Sequence, residues 1–154
     1  MFFWAKRNYL AVFLISALVL TGCASVMGQK FQEASVKQDT ARIYIYRPWT
    51  MVGGAVSYPV YINGEKIFQL PHTAYYVYYA DPGEVFITAK TLENEASVKL
   101  RAEAGKTYYI KGGTSLGQFA GRATLAEVHP NTGKKEIVKC KYYPNNDFLN
   151  KDKK

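Results

Sequence analysis

From Ala41 onward, apolar and polar residues alternate with a period of two along most of the chain, which is the signature of strands. "ARIYIYR" (41–47) sets Ile43 and Ile45 against Tyr44 and Tyr46, and Pro48 stops it. "SYPVYINGEKIFQL" (57–70) predicts two short strands about Asn63-Gly64, a pair that tolerates the positive φ of a type I′ turn. "AYYVYYA" (74–80) is a strand closed by the turn Asp81-Pro82-Gly83, and "EVFITAKT" (84–91) lines up Val85, Ile87 and Ala89 on one face. "SVKLRAEAGKTYYIKGG" (97–113) reads as another hairpin, with Val98 and Leu100 inward and Lys99 and Arg101 outward. "GRATLAEV" (121–128) and "KEIVKCKY" (135–142), joined by "HPNTG", complete the set. The phase breaks between Leu125 and Val128, which predicts a bulge or a short helical turn. About eight short strands and no convincing helix predict an all-β fold, an antiparallel β-sandwich whose sheets each keep one wet face. A small closed barrel is the alternative.

The first residues follow a different pattern. Lys6 and Arg7 precede an apolar run from Tyr9 to Leu20, interrupted only by Ser16. That run falls short of the roughly 20 residues a helix needs to cross a bilayer. A basic start, a short apolar core and small residues at its end describe an export signal. Leu20-Thr21-Gly22-Cys23 resembles the lipobox of bacterial lipoproteins. The resemblance implies a diacylglycerol on the Cys23 sulfur, cleavage just before it, and an acylated new N-terminus. Ala24 and Ser25 follow where an aspartate would imply retention in the inner membrane. The family rule therefore implies lipid anchoring in the outer membrane, facing the periplasm. Residues 24–40 lack strand alternation and read as a tether. The expected organisation is a signal peptide (1–22), a lipidated N-terminus and tether (23–40), a sandwich (41–143) and a polar tail (144–154).

"ARIYIYRP", "PVYINGEKIFQL", "DPGE" and "EAGKTYYIKGG" resemble, in that order, a family of bacterial lipoproteins built on a domain of unknown function. The hairpin followed by a Pro-Gly turn is also similar to PEGA-type surface-layer modules. The likeness runs from about residue 41 to 142. It implies the β fold and the anchor, and it carries no catalytic residues or cofactor.

Composition adds bounds. Without residues 1–22, 132 of the 154 residues remain, enough for one domain. The 20 basic side chains lose Lys6 and Arg7, leaving 18 against 12 acids and a formal +6. Positive charge suits anionic headgroups or glycans; an exported chain without a nucleic-acid motif is not expected to bind nucleic acid. With Cys23 lipidated, Cys140 has no partner in its own chain. Its strand phase, shared with Val138 and Tyr142, predicts a buried, inert thiol.

Reactive groups are sparse. His72 and His129 both fall in turns, and a Cys140–His129 nucleophile and base pair conflicts with the inward phase of the cysteine. "AGKT" (104–107) has Leu100 where a phosphate-binding loop needs glycine, and it joins two strands instead of opening a helix. "GGTSLGQFAG" (112–121) reads as a loop, and metal-ligand spacing is absent. No enzyme, cofactor or metal is expected. Binding is the stronger expectation. Thirteen tyrosines are present, and "YYVYY" puts Tyr75 and Tyr79 on one face with Tyr76 and Tyr78 on the other. Tyr76 and Tyr78, together with Trp49 and Met51 in the loop 47–57, are the candidate partner-binding residues. That loop would otherwise cap the open end of the sandwich. The expected function is a scaffolding or binding module for another envelope protein. Peptidoglycan or polysaccharide binding on a tyrosine face is second, and an envelope hydrolase a distant third.

Overall fold

The computed structural model describes residues 28–143. The signal segment, Cys23 and the tail from 144 onward lie outside the described residues. Nine strands and one helix follow in the order β1 (Ala41–Tyr46), β2 (Tyr58–Ile62), β3 (Glu65–Leu70), β4 (Ala74–Ala80), β5 (Gly83–Lys90), β6 (Glu95–Ala102), β7 (Thr107–Ser115), β8 (Arg122–Val128), α1 (Pro130–Ile137) and β9 (Lys141–Tyr142). They form a β-sandwich of a five-stranded sheet, β8-β7-β1-β4-β9, and a four-stranded sheet, β3-β2-β5-β6. Ile43 and Ile45 of β1, Val60 and Ile62 of β2, Val85, Ile87 and Ala89 of β5, and Ile110 of β7 close the core between the sheets. Burying each of the larger of these side chains stabilises the fold by roughly 1.5–3 kcal/mol. Asn63 and Gly64 carry the positive φ values, 51° and 86°, that the tight β2–β3 turn requires.

The larger sheet departs from a plain antiparallel sandwich. β6 pairs with β5, whereas β7 runs parallel to β1 with Tyr44 opposite Tyr109. The segment 97–113 is therefore a crossover between sheets and not a hairpin. Gly105, at φ +72°, makes that corner, and its N–H donates to Thr40 O at 3.0 Å. Nor does β1, inside the larger sheet, have a wet face, although the edge strand β8 does. Every residue of β1 is buried, Ile43 and Ile45 against the other sheet, Tyr44 and Tyr46 in a second apolar layer with Tyr75, Tyr109, Ile137 and Cys140.

That second layer explains two further differences. β8 pairs with β7 without interruption from Arg122 to Val128, so no bulge lies there. Leu125 packs on the inter-sheet core and Val128 on the outer layer; the apparent phase break is two apolar layers read along one strand. The register shift falls instead in the β2–β3 pair, between Val60 and Tyr61. The segment expected as a last strand, 135–142, instead begins as the end of a helix, turns at 138–140 and is strand only at Lys141 and Tyr142. Pro130 occupies the first turn of α1 and the His129 side chain accepts from Asn131 N–H, a combination that favours a helix start. Alternation in "KEIVKCKY" had suggested otherwise, and Val138, expected inward, is exposed.

Helix α1 lies on β7 through Gly133. A Cβ there would stand 2.3–2.5 Å from the Tyr109 side chain. Alanine's helix preference over glycine, about 1 kcal/mol, opposes an overpacking cost of about 1–3 kcal/mol. Gly133→Ala is therefore expected to lower the denaturant midpoint; a raised midpoint would show the helix free to lift from the sheet.

Candidate functional site

Two regions gather the side chains able to recognise another molecule: the outer face of the larger sheet and one end of the sandwich. On the outer face, Tyr44 stacks on Tyr109 with ring centroids 5.2 Å apart, and Phe31 meets Tyr44 and Tyr75 edge-on at 5.6 and 5.2 Å. A buried phenol needs a hydrogen-bond partner, and the segment before β1 supplies three. Tyr44 Oη accepts from Ala34 N–H at 2.9 Å, and Tyr75 Oη from Gln32 N–H at 3.3 Å. Tyr79 Oη donates to Ser35 O at 2.8 Å. Arg42, 4% exposed, donates to Glu33 Oε1 at 2.9 Å and to Ala34 O. The stretch expected as a tether is thus, from Gly28 onward, laid against the folded body. Only the residues between Cys23 and Gly28 stay outside this account.

Between that segment and β4 runs a cleft of about 340 Å³, lined by Gln29, Gln32, Glu33, Tyr75, Val77 and Tyr79, among others. Among the described residues, β4 is paired on its outer edge only at Ala74 and Tyr75, by the two-residue β9. The rest of that edge flanks the cleft.

The candidate tyrosines divide differently from expectation. Tyr76 and Tyr78 pack against the inter-sheet core, and Tyr76 stacks on Phe68 with centroids 4.3 Å apart. Each is half-buried. The phenols that border the cleft are those of the opposite face.

At one edge of the outer layer Tyr46 Oη donates to Glu136 Oε2 at 2.6 Å, and Lys111 Nζ donates to Glu136 Oε1 at 2.7 Å. Burial alone raises the Glu136 pKa, but the Lys111 and Tyr46 donors outweigh it and hold the carboxyl below its usual range. Burial, reinforced by the bond to Glu136, drives the Tyr46 phenol far above its own. Cys140 is buried, its Sγ donates to Arg47 O at 3.5 Å, and burial pushes its thiol up to about 12. Such a thiol is a poor nucleophile. His129 caps one end of α1 and Cys140 lies beyond the other, with the eight-residue helix, about 12 Å long at 1.5 Å per residue, between them. The structure does not bring them together. No group of three His, Cys, Asp or Glu side chains able to hold a metal occurs among the described residues.

The second region is the end of the sandwich where β1 finishes. Arg47 is fully buried there, and no carboxylate among the described residues pairs with it. Its guanidinium donates to Gly53 O at 2.6 Å, to Val56 O, and to Thr114 Oγ1 at 3.3 Å, and lies 5.1 Å from the Tyr58 ring centroid. These contacts fold the loop 47–57 back on itself, in line with a capping role. They leave Trp49 and Met51 outside, 64% and 86% exposed. Trp49 sits 6.2 Å from the His72 ring, whose Nε2 accepts from Thr50 N–H at 2.9 Å. Beside this loop Glu93 accepts backbone N–H groups from Gln118 at 2.9 Å, Phe119 at 2.6 Å and Ala120. The Ala120 and Phe119 bonds hold its carboxyl below the ordinary carboxylate range. Neither Arg47 nor Glu93 stood out in the sequence, because their main partners are backbone groups: carbonyls of its own loop for Arg47, amides of another loop for Glu93. Phe119 and Leu116 did carry a signal, as bulky apolar residues inside a glycine-rich loop.

Two outcomes follow. Glu136 has a folded pKa below its unfolded value, so its contribution is present above pH ~4.3 and is lost as pH falls through the folded pKa. Glu136→Gln should flatten the decline in denaturant midpoint between neutral pH and pH 3. Arg47→Met would leave several buried carbonyls without a donor and is expected to cost about 3 kcal/mol. Chymotryptic cleavage after Trp49 should accelerate with it.

An uncharacterised protein of Haemophilus influenzae (strain ATCC 51907 / DSM 11121 / KW20 / Rd) is 28% identical over 130 residues, covering 80% of this chain and 77% of that protein. No solved structure matches. Residues 37–123, from the end of the packed N-terminal segment into β8, match the model of a family described as protein of unknown function (DUF2846). The chain belongs to that family.

Proposed function

We propose that this protein is a lipid-anchored lipoprotein of the bacterial outer membrane, facing the periplasm, whose sandwich binds an extended segment of another envelope protein. Cys23 carries the lipid in this reading, supported by the basic, apolar and small-residue pattern that leads to it. The observation that carries the binding role is the cleft along β4. An open strand edge offers backbone donors and acceptors to an incoming peptide. Beside it, the half-buried Val77 and Tyr79 offer apolar surface to such a peptide. The lipid fixes position, the packed N-terminal segment forms one wall of the cleft, and the sheet forms the other. The reading assigns no covalent chemistry, since Cys140 is buried with a raised pKa.

Glycan binding through Tyr76 and Tyr78 has weaker support, because Phe68 already covers a face of the Tyr76 ring. A photo-crosslinking residue placed at Val77 in living cells should trap one discrete protein partner, and Ser97 on the opposite sheet should trap none. Equal labelling at both positions, or none at Val77, would remove the cleft from this role. Retention on peptidoglycan that is lost in Tyr78→Ala would favour the glycan reading.

A further inference from the structure

The sheet register fixes which loops share an end. β1 leads into the loop 47–57, and β7 runs parallel to β1 into the loop 116–121. Tyr58 of β2 pairs with Leu70 of β3, while Val60 faces Ala89 of β5. The turns 71–73 and 91–94 therefore lie at that same end. Thr114 Oγ1 donates to Val52 O at 2.8 Å, and Glu93 binds the 118–120 backbone. A hollow of about 370 Å³ between Val56, Pro59, Leu92 and Ala120 opens there.

This end is apolar and bare. Of nine large apolar side chains exposed among the described residues, six are here: Trp49, Met51, Val52, Leu92, Leu116 and Phe119. Leu92 and Phe119 are 97% and 94% exposed. The four loops contain two formal charges, Arg47 and Glu93, and both are covered, at 0% and 12%. The opposite end carries Asp81, Glu103 and Lys106 in its turns. Lys90 and Arg122, 45% and 56% exposed, border these loops. Scattered exposed apolar residues are ordinary, but six gathered on loops that expose no charge of their own are not.

The path of the N-terminal segment identifies what covers them. Tyr142 N–H donates to Gln29 O and Lys141 N–H to Thr73 O, each at 2.8 Å. Gly28 abuts Tyr142 O. Thr73 follows His72, on which Trp49 rests. Lys30 stands opposite Lys141 in antiparallel register, so the segment runs from Gly28, level with Tyr75, toward the apolar end. The described chain thus begins close to that end, and Cys23 lies five residues before Gly28. Five residues reach at most ~18 Å.

We infer that the apolar loop end is a membrane-contacting surface, which seats Trp49, Met51, Leu92, Leu116 and Phe119 in the phospholipid headgroup region beside the anchor. The inference rests on the proposed lipidation of Cys23, because that places the bilayer within reach of this end. Tryptophan favours the interfacial depth, and exposed apolar tips add to the hold of the acyl chains. Lys30 and Lys141, flanking the entry point, face the same layer of headgroup phosphates. Seated this way, the sandwich has a fixed orientation, with the β4 cleft running away from the membrane surface.

Trp49 reports on its own position. Trp4 and Trp49 are the two tryptophans, so Trp4→Phe in the full chain leaves Trp49 as the sole emitter whether or not the signal is removed. The lipoprotein would be reconstituted in phosphatidylethanolamine/phosphatidylglycerol vesicles with or without phosphatidylcholine brominated near the headgroup end of its chains. Flotation reads the anchor and quenching reads the loop end. Co-flotation with Trp49 blue-shifted and quenched is the expected result. Met51→Asp and Phe119→Asp, on side chains already outside the core, should abolish most of the quenching without changing flotation or the unfolding midpoint. Co-flotation with unquenched Trp49 would overturn the inference and leave the anchor standing. Loss of flotation and of quenching together would overturn both. Quenching indifferent to the two aspartates would also overturn the inference.

Discussion

The structure depends on a constraint set by β1: this strand has no face for water. Its isoleucines face the four-stranded sheet and its tyrosines face away, and both sets are buried. A strand in the middle of a sheet satisfies its backbone through its neighbours, but a doubly covered one also demands a cover on each side. The second sheet is one cover. The other is assembled from what the chain has left, the segment before β1 and the helix after β8.

The composition of the outer layer determines how closely that cover must fit. Had it been isoleucine, any apolar strap would have served. Tyrosine brings a hydroxyl into a buried layer, and an unpaired buried hydroxyl costs about 1–3 kcal/mol. Tyr44 and Tyr75 therefore require polar atoms at fixed heights along the sheet, and the backbone of Gln32 and Ala34 provides them, with half-buried Tyr79 bonding Ser35 O beside them. Arg42 adds a charge that Glu33 and a carbonyl must meet. The register of an otherwise featureless segment follows from these requirements. Tyr46 makes the same demand on the helix side, where Glu136 meets it.

How much of this was legible in the sequence follows from the range of each interaction. Strands such as "AYYVYYA" and "EVFITAK" were plain because period-two alternation is a local property, and the Asn-Gly turn because φ preference is local too. The sheet to which a strand belongs was less visible. The 97–113 segment has a hairpin's spacing, but β6 and β7 diverge to different sheets, and only their partners reveal it. The helix carried a readable start at His129-Pro130, overshadowed by a chance alternation of lysines downstream. The tyrosine face was recognised as a feature, yet sequence phase alone cannot say which side of a strand meets the core. Tyr76 and Tyr78 proved to be the inward pair, leaving Tyr75 and Tyr79 to line the cleft. Arg47 and Glu93 offered no signal, since their main partners are backbone atoms, and backbone atoms are the same in every sequence.

Covering the tyrosine layer with the N-terminal segment has a geometric consequence. A tether of 17 residues would let the domain face any direction relative to an anchor at Cys23. Once the segment from Gly28 to Ser35 is fixed on the sheet, the proposed anchor at Cys23 stands only five positions before a placed residue, close to one end of the sandwich. Orientation then no longer averages out, and the composition of that end begins to matter. A charged, solvated end would be pressed against headgroups at a desolvation cost, whereas an apolar end whose two charges are already internally satisfied incurs almost none. The same buried phenols that fix the segment thus bring the start of the described chain close to its least polar surface.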